Sequence, residues 1–145
     1  MNRNMLIGGA ALIAIILVVG VVFILPDGEE ITTVTFTVES QFHDDDNSLS
    51  FDPNKIEVNE GDKVVIVFKV PDNAPLAPHN LHVHGYDIIT EDVSPGESDT
   101  IEFIATNTGT FTIMCDVAGH ADLGMTGELV VTILDERAEG YESEY

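Results

Sequence analysis

From residue 31 onward the sequence holds no long run of apolar residues at helical spacing; short alternating segments recur instead, separated by Gly, Pro, Asn and Asp. Val34, Phe36 and Val38 alternate with threonines, which places three apolar side chains on one face of a strand. Ile56 and Val58 lead into Glu60-Gly61-Asp62, a turn signal, and the β-rich run Val64 to Val70 comes next. His79 to Tyr86, Thr100 to Ala105, Thr110 to Cys115 and Glu128 to Ile133 read as further strands. Pro71, Pro75 and Pro78 make their segment irregular, and His43 to Ser50, with Asp44-Asp45-Asp46-Asn47, is polar enough to be expected as a loop. This spacing predicts an all-β fold, an antiparallel sandwich or barrel of about seven or eight strands. The 145 residues suit one such domain with extensions, since single cores are commonly built from about 100–150 residues.

Ahead of the strands, Met5 to Leu25 is apolar or glycine throughout and carries no charge. As a helix it would reach about 30 Å, the thickness of a bilayer's hydrocarbon core. A cleaved export signal is the alternative, but its apolar region is usually about 7–15 residues and ends at small residues, whereas this run ends in Phe23-Ile24-Leu25-Pro26. The expected organisation is therefore a single-pass anchor over residues 1–26, a linker over 27–30, the β-domain over 31–135 and an acidic tail over 136–145. Arg3 and the amino terminus keep the leader cytoplasmic, which places the domain on the extracytoplasmic side, periplasmic or extracellular.

All 26 Asp and Glu lie beyond Leu25, against Lys55, Lys63, Lys69 and Arg137, and the formal net charge is −21. Such a surface repels nucleic acid and anionic lipid heads and favours a partner with a basic docking face. Solvation in a salty medium is the equally weighted alternative.

The chain's single cysteine cannot close an internal disulfide, so Cys115 is buried and inert, paired between chains, a nucleophile, or a metal ligand. Its neighbourhood decides the emphasis. Cys115-Asp-Val-Ala-Gly-His120-Ala-Asp-Leu-Gly-Met125 sets a thiolate, an imidazole and a thioether on one short loop. Phe111, Ile113 and Cys115 share a strand face, which aims the sulfur at the core. His79 has matching parity with Leu81 and Val83, leaving Asn80, His82 and His84 on the other face. Singly, each residue has a plainer reading: a small buried hydrophobe, core filler, a surface histidine. Together, a soft thiolate, two imidazoles and a weak axial thioether form the ligand set that holds one blue-copper ion; zinc also fits, though structural zinc sites usually use several cysteines.

The residues Pro78-His79-Asn80-Leu81, His84-Gly85-Tyr86, Ser94-Pro95-Gly96-Glu97-Ser98, Gly109-Thr110-Phe111-Thr112 and the Cys115 to Gly127 loop resemble those of the plastocyanin, azurin and rusticyanin family of cupredoxins. The likeness runs from about Phe51 to Ile133, and the gaps on both sides of His120 are similar to those of the rusticyanin loop. It implies a Greek-key sandwich or barrel with His79, Cys115 and His120 as equatorial copper ligands, Met125 as the axial one, and Asn80 fixing the cysteine loop by hydrogen bonding. Ala118 stands where many relatives carry proline. The binuclear site of cytochrome oxidase would need a second cysteine. The wired copper pairs of multicopper oxidases and nitrite reductases would need a histidine beside Cys115, where Met114 and Asp116 stand.

The chain is therefore expected to be a membrane-anchored carrier that passes single electrons between redox proteins, with His120 near an apolar exit patch of Pro78, Ala121 and Leu123. A copper enzyme acting on a small molecule such as nitric oxide, a copper-delivery protein and a metal-free adhesive sandwich are the alternatives. His82 and His84, at i and i+2, could chelate a second ion or be a solvated pair. His43 beside the aspartates could hold a cation weakly or belong to a flexible acidic loop.

Overall fold

The computed structural model describes residues 21–24 and 30–133, with side chains from 31 to 133. Ten strands occur among these: β1 (Val21–Ile24), β2 (Glu30–His43), β3 (Ser48–Asp52), β4 (Lys55–Asn59), β5 (Lys63–Lys69), β6 (His82–Val83), β7 (Ile88–Ile89), β8 (Ser98–Ile104), β9 (Gly109–Met114) and β10 (Thr126–Thr132). One sheet runs β1-β2-β5-β8 with β3 also paired to β2, and the second runs β4-β10-β9-β6-β7.

The all-β expectation holds, but the pairing is mixed. β2 lies parallel to β5, with Val34 opposite Val64, and β4 lies parallel to β10, with Ile56 opposite Leu129. Parallel neighbours need a crossover. Here β3 and β4 supply it by carrying the chain from the first sheet to the second before β5 returns.

Alternation builds the core between the sheets. Phe36 and Val38 of β2, Leu49 and Phe51 of β3, and Val64, Ile66 and Phe68 of β5 face Ile56 and Val58 of β4, Ile113 of β9, and Leu129 and Val131 of β10 in one buried cluster. The rings of Phe51 and Phe68 meet edge to face with centroids 5.8 Å apart, a favoured aromatic geometry.

Two sequence expectations are corrected. The segment His43 to Ser50 is not a loop: β2 continues through His43, the acidic tetrapeptide forms the turn, and β3 begins at Ser48. Leu49 and Phe51 are buried on β3, Asn47 takes a left-handed φ of 55°, and the Asp46 carboxylate accepts the Ser48 N–H at 3.1 Å, so alternation and turn chemistry outweigh local polarity. The strand expected from His79 to Tyr86 shrinks to β6, because Gly85 turns at φ 92° and His79 makes only an isolated bridge with Val93.

At the amino-terminal end, Val21–Ile24 pairs antiparallel with β2, in keeping with the β preference of Val, Phe and Ile. The remainder of the expected anchor, the linker residues 27–29 and the acidic tail lie outside the described residues. Among the described residues no helix is long and apolar enough to cross a membrane.

Candidate metal centre

His79, Cys115 and His120 converge. The Nδ1 atoms of His79 and His120 lie 3.1 Å apart, and Cys115 Sγ is 3.6 Å from His120 Nδ1. All three donor atoms fall within 4.8 Å of one another, and all three residues are buried. Donors bound about 2.0–2.3 Å from one ion stand roughly 3.3–3.8 Å apart; the 3.6 Å separation falls in that range and the 3.1 Å one just short of it, so small adjustments would let the three share a metal.

Each of the three donors is placed from a different part of the fold. Strand β9 ends at Met114 and delivers Cys115 into the gap between the sheets, as its parity with Ile113 requires. His79 is held by reciprocal backbone bonds with Val93, at 3.1 and 2.8 Å. His120 comes from the loop that continues from Cys115. Its N–H donates to Val117 O at 3.1 Å, while its carbonyl accepts Met125 N–H at 3.1 Å, and the Cys115 N–H donates to Met125 O at 3.1 Å. Met125 is fully buried where the loop closes. These bonds secure the loop with Ala118 in place of proline. Gly124, at φ 102°, passes so close to Leu49 O that an added Cβ would stand 2.9 Å from it.

Burial sets the protonation states. His79 is pushed below the ordinary imidazole range by desolvation, with the neighbouring His120 adding to the effect, and His120 is pushed down by desolvation alone. Both rings are neutral near pH 7, with lone pairs free for a metal. Burial pushes the Cys115 thiol up, partly offset by the backbone N–H groups of Asn80 and Val117. A buried thiol without metal is therefore protonated, and an arriving cation must displace that proton.

Asn80 bridges the two stretches that supply the converging donors. Its backbone N–H points at Cys115 Sγ at 3.5 Å, its Oδ1 accepts Asp116 N–H at 2.7 Å, and its Nδ2 donates to Asp92 at 2.8 Å. Strand parity alone would turn Asn80 to solvent, yet it is buried, because the chain leaves regular strand geometry here. The role that the resemblance implied for it is visible in these bonds.

The sequence, residues 12–131, matches the family model of the Cupredoxin-like domain. The chain belongs to the cupredoxin-like family. It is 35% identical over 85 residues to cytochrome c oxidase subunit 2 of Thermus thermophilus, covering 58% of this chain and 59% of that subunit. It is 30% identical over 108 residues to a multicopper oxidase of Staphylococcus aureus, covering 59% of this chain and 24% of the oxidase. The cupredoxin chain thus spans about a quarter of the multicopper oxidase and just over half of the oxidase subunit. Among solved structures, auracyanin A, a "blue" copper protein of Chloroflexus aurantiacus, superposes with a TM-score of 0.56 at 22% identity, covering 69% of this chain and 99% of that one. This last likeness is one of fold. The copper-binding family and the soft donor set agree, since a thiolate with two neutral imidazoles favours copper.

Two features are not legible in the sequence. Asp116 joins His82 and His84 in a second cluster of possible ligands; the only local signal is its place next to Cys115. A cavity of about 400 Å³ lies beside His79, lined by residues that include Ser40, Phe42, Leu49 and Pro75. No local pattern marks it. His43, in turn, bonds across its hairpin to Ser50 Oγ at 2.9 Å.

Proposed function

We propose that this cupredoxin carries single electrons between redox proteins, using one mononuclear type 1 copper held by His79, Cys115 and His120 with Met125 on the axis. The convergence of two Nδ1 atoms and one thiol sulfur in a buried pocket carries this reading. Copper in such a set alternates between Cu(I) and Cu(II). The chain's own part is to hold the donors still. The hydrogen-bonded loop from Cys115 to Met125 and the Asn80 bridge restrict their movement, which limits reorganisation when charge changes.

His120 is the natural edge for exchange: it is 7% exposed, against 1% for His79. In the chain next to the two histidines, Pro78 is exposed, Ala121 and Leu123 are part-exposed, and Leu76 is 49% exposed. An apolar patch of this kind in a strongly acidic chain suits brief docking to a basic partner. The apolar run that opens at Met5, ahead of β1, supports a membrane tether with the domain on the extracytoplasmic side. A second reading, a copper enzyme for a small molecule, draws on the cavity beside His79.

The test is to purify the full chain in detergent, add one equivalent of Cu(II), and record visible spectra with and without azide. The carrier reading expects an intense charge-transfer band that Cys115→Ser abolishes and azide leaves in place. Absence of the band in the unaltered chain defeats the metal assignment, and an azide-induced shift favours the enzyme. Tethering is read separately: high-salt washing of membranes should not release the chain, and release by salt alone would refute the anchor.

A further inference from the structure

The second cluster lies on the outward side of β6 and β9. His82 Nδ1 is 2.7 Å from Asp116 Oδ2, and His84 Nε2 is 3.6 Å from Asp116 Oδ1. The two imidazole rings lie side by side with centroids 3.9 Å apart and planes tilted by 32°. One donor atom from each of the three residues falls within 4.8 Å of the others. His84 Nε2 is shielded from solvent and has no hydrogen-bond partner among the described residues. Buried polar atoms are normally satisfied, so an unpartnered ring nitrogen aimed at a carboxylate points to a ligand.

The scaffold under the cluster is rigid. His82 is paired with Met114 and Ile89 across β9 and β7. His84 N–H donates to Thr112 O at 2.9 Å, and Asp116 N–H donates to Asn80 Oδ1 at 2.7 Å. The side chains are nevertheless part-exposed, at 16%, 41% and 38% for His82, His84 and Asp116.

We propose that His82, His84 and Asp116 form a second, exchangeable site for a divalent transition metal, separate from the His79–Cys115–His120 centre. Two imidazoles and a carboxylate suit Zn(II) and Cu(II). Tetrahedral bonds of about 2.0–2.2 Å would set the donors roughly 3.3–3.6 Å apart, near the present 2.7 and 3.6 Å separations of the two imidazoles from Asp116. The net charge of −21 draws cations to the surface. Partial exposure leaves open positions for water, which makes the ion exchangeable.

The site also touches the first centre. Asp116 is bonded in sequence to Cys115, and Asn80 contacts both Asp116 and the Cys115 sulfur. A cation held there adds positive charge beside the thiolate, which favours the less positive Cu(I) state and moves the midpoint potential upward. This consequence rests on the proposed function; occupancy of the site does not.

Zn(II) is the probe. Calorimetric titration of the full chain, metal-free and after copper loading, should show one more zinc per chain in the unaltered protein than in His84→Gln or Asp116→Asn, or binding at least about tenfold weaker in the variants. Equal zinc uptake in all three overturns the site, whatever the copper centre does. In the unaltered chain zinc should also shift the ring nitrogen resonances of His82 and His84, and resonances that stay fixed overturn the proposal without any variant. If zinc binds but the copper potential does not move, the coupling fails and the site stands.

Discussion

Asn80 Oδ1 accepts the backbone N–H of Asp116 at 2.7 Å, joining the His79 segment to the residue immediately after the buried cysteine. Asn80→Ala would strand that N–H and remove the bond to Asp92. An unsatisfied donor costs about 1–3 kcal/mol, and each kcal/mol lowers the midpoint of a domain this size by about 4–8 °C. Thermal unfolding of Asn80→Ala should show this loss together with a displaced copper absorption band. An unchanged midpoint and spectrum would mean the bridge is incidental.

The neutral histidines make the metal-free protein sensitive to acid. Burial holds His79 and His120 below the ordinary value of 6.5. As pH falls through that value the unfolded chain takes up protons at these rings while the folded chain does not, so stability declines between 6.5 and the lowered folded values. Urea midpoints of the metal-free chain should be lower at about pH 5.5 than at about pH 7.5. A flat profile over that interval would contradict the burial argument.

Copper uptake should respond to pH through the thiol. Cys115 lies above its ordinary value of 9.0 because it is desolvated, and the metal takes the thiolate. Binding near neutrality therefore releases one proton, and apparent affinity rises about tenfold per pH unit. Competition with a chelator at two pH values tests this, provided the chelator's own titration is accounted for. Equal apparent affinities would show that the sulfur is not a ligand.

The residues that could be read in advance are those whose signal is local. Cys115, His120 and Met125 stand within one loop, and the parity of His79 with Leu81 and Val83 predicted the inward set that burial shows. Parity says which face a side chain takes, however, and not which strand lies beside it. The partnership of Asp116 with His82 and His84 depends on His82 lying opposite Met114, a register set by contacts distant in sequence. The parallel pairing of β2 with β5 escaped for the same reason. The acidic tetrapeptide misled in another way, since its polarity belongs to a turn while Leu49 and Phe51 beyond it bury in the core.

Met125 should matter more to potential than to binding. A thioether on the axis is a weak donor, and the potential of such sites is tuned by the axial ligand. Met125→Leu keeps the apolar volume at a fully buried position, at a cost under about 1.5 kcal/mol. With one donor to Cu(II) removed, the midpoint potential should rise while the visible band persists. Loss of the band on this substitution would show that Met125 holds the loop rather than tunes the metal.

Two glycines in the ligand loop allow strain to be separated from collision. Gly119 and Gly124 both take left-handed φ, 84° and 102°, but a Cβ on Gly119 meets nothing within 4 Å, whereas one on Gly124 stands 2.9 Å from the Leu49 carbonyl oxygen. Alanine at Gly119 therefore incurs only the left-handed penalty, about 1–2 kcal/mol. Alanine at Gly124 incurs that and must also push away the β3 backbone, whose Leu49 N–H donates to Leu123 O at 2.8 Å; overpacking adds about 1–3 kcal/mol. Unfolding midpoints should fall in the order unaltered chain, Gly119→Ala, Gly124→Ala. Only Gly124→Ala should also disturb the copper spectrum, because it displaces the residue next to Met125. Equal losses for the two variants would mean that the loop can move off β3 freely, and that the donors are not held by the contact between Gly124 and Leu49.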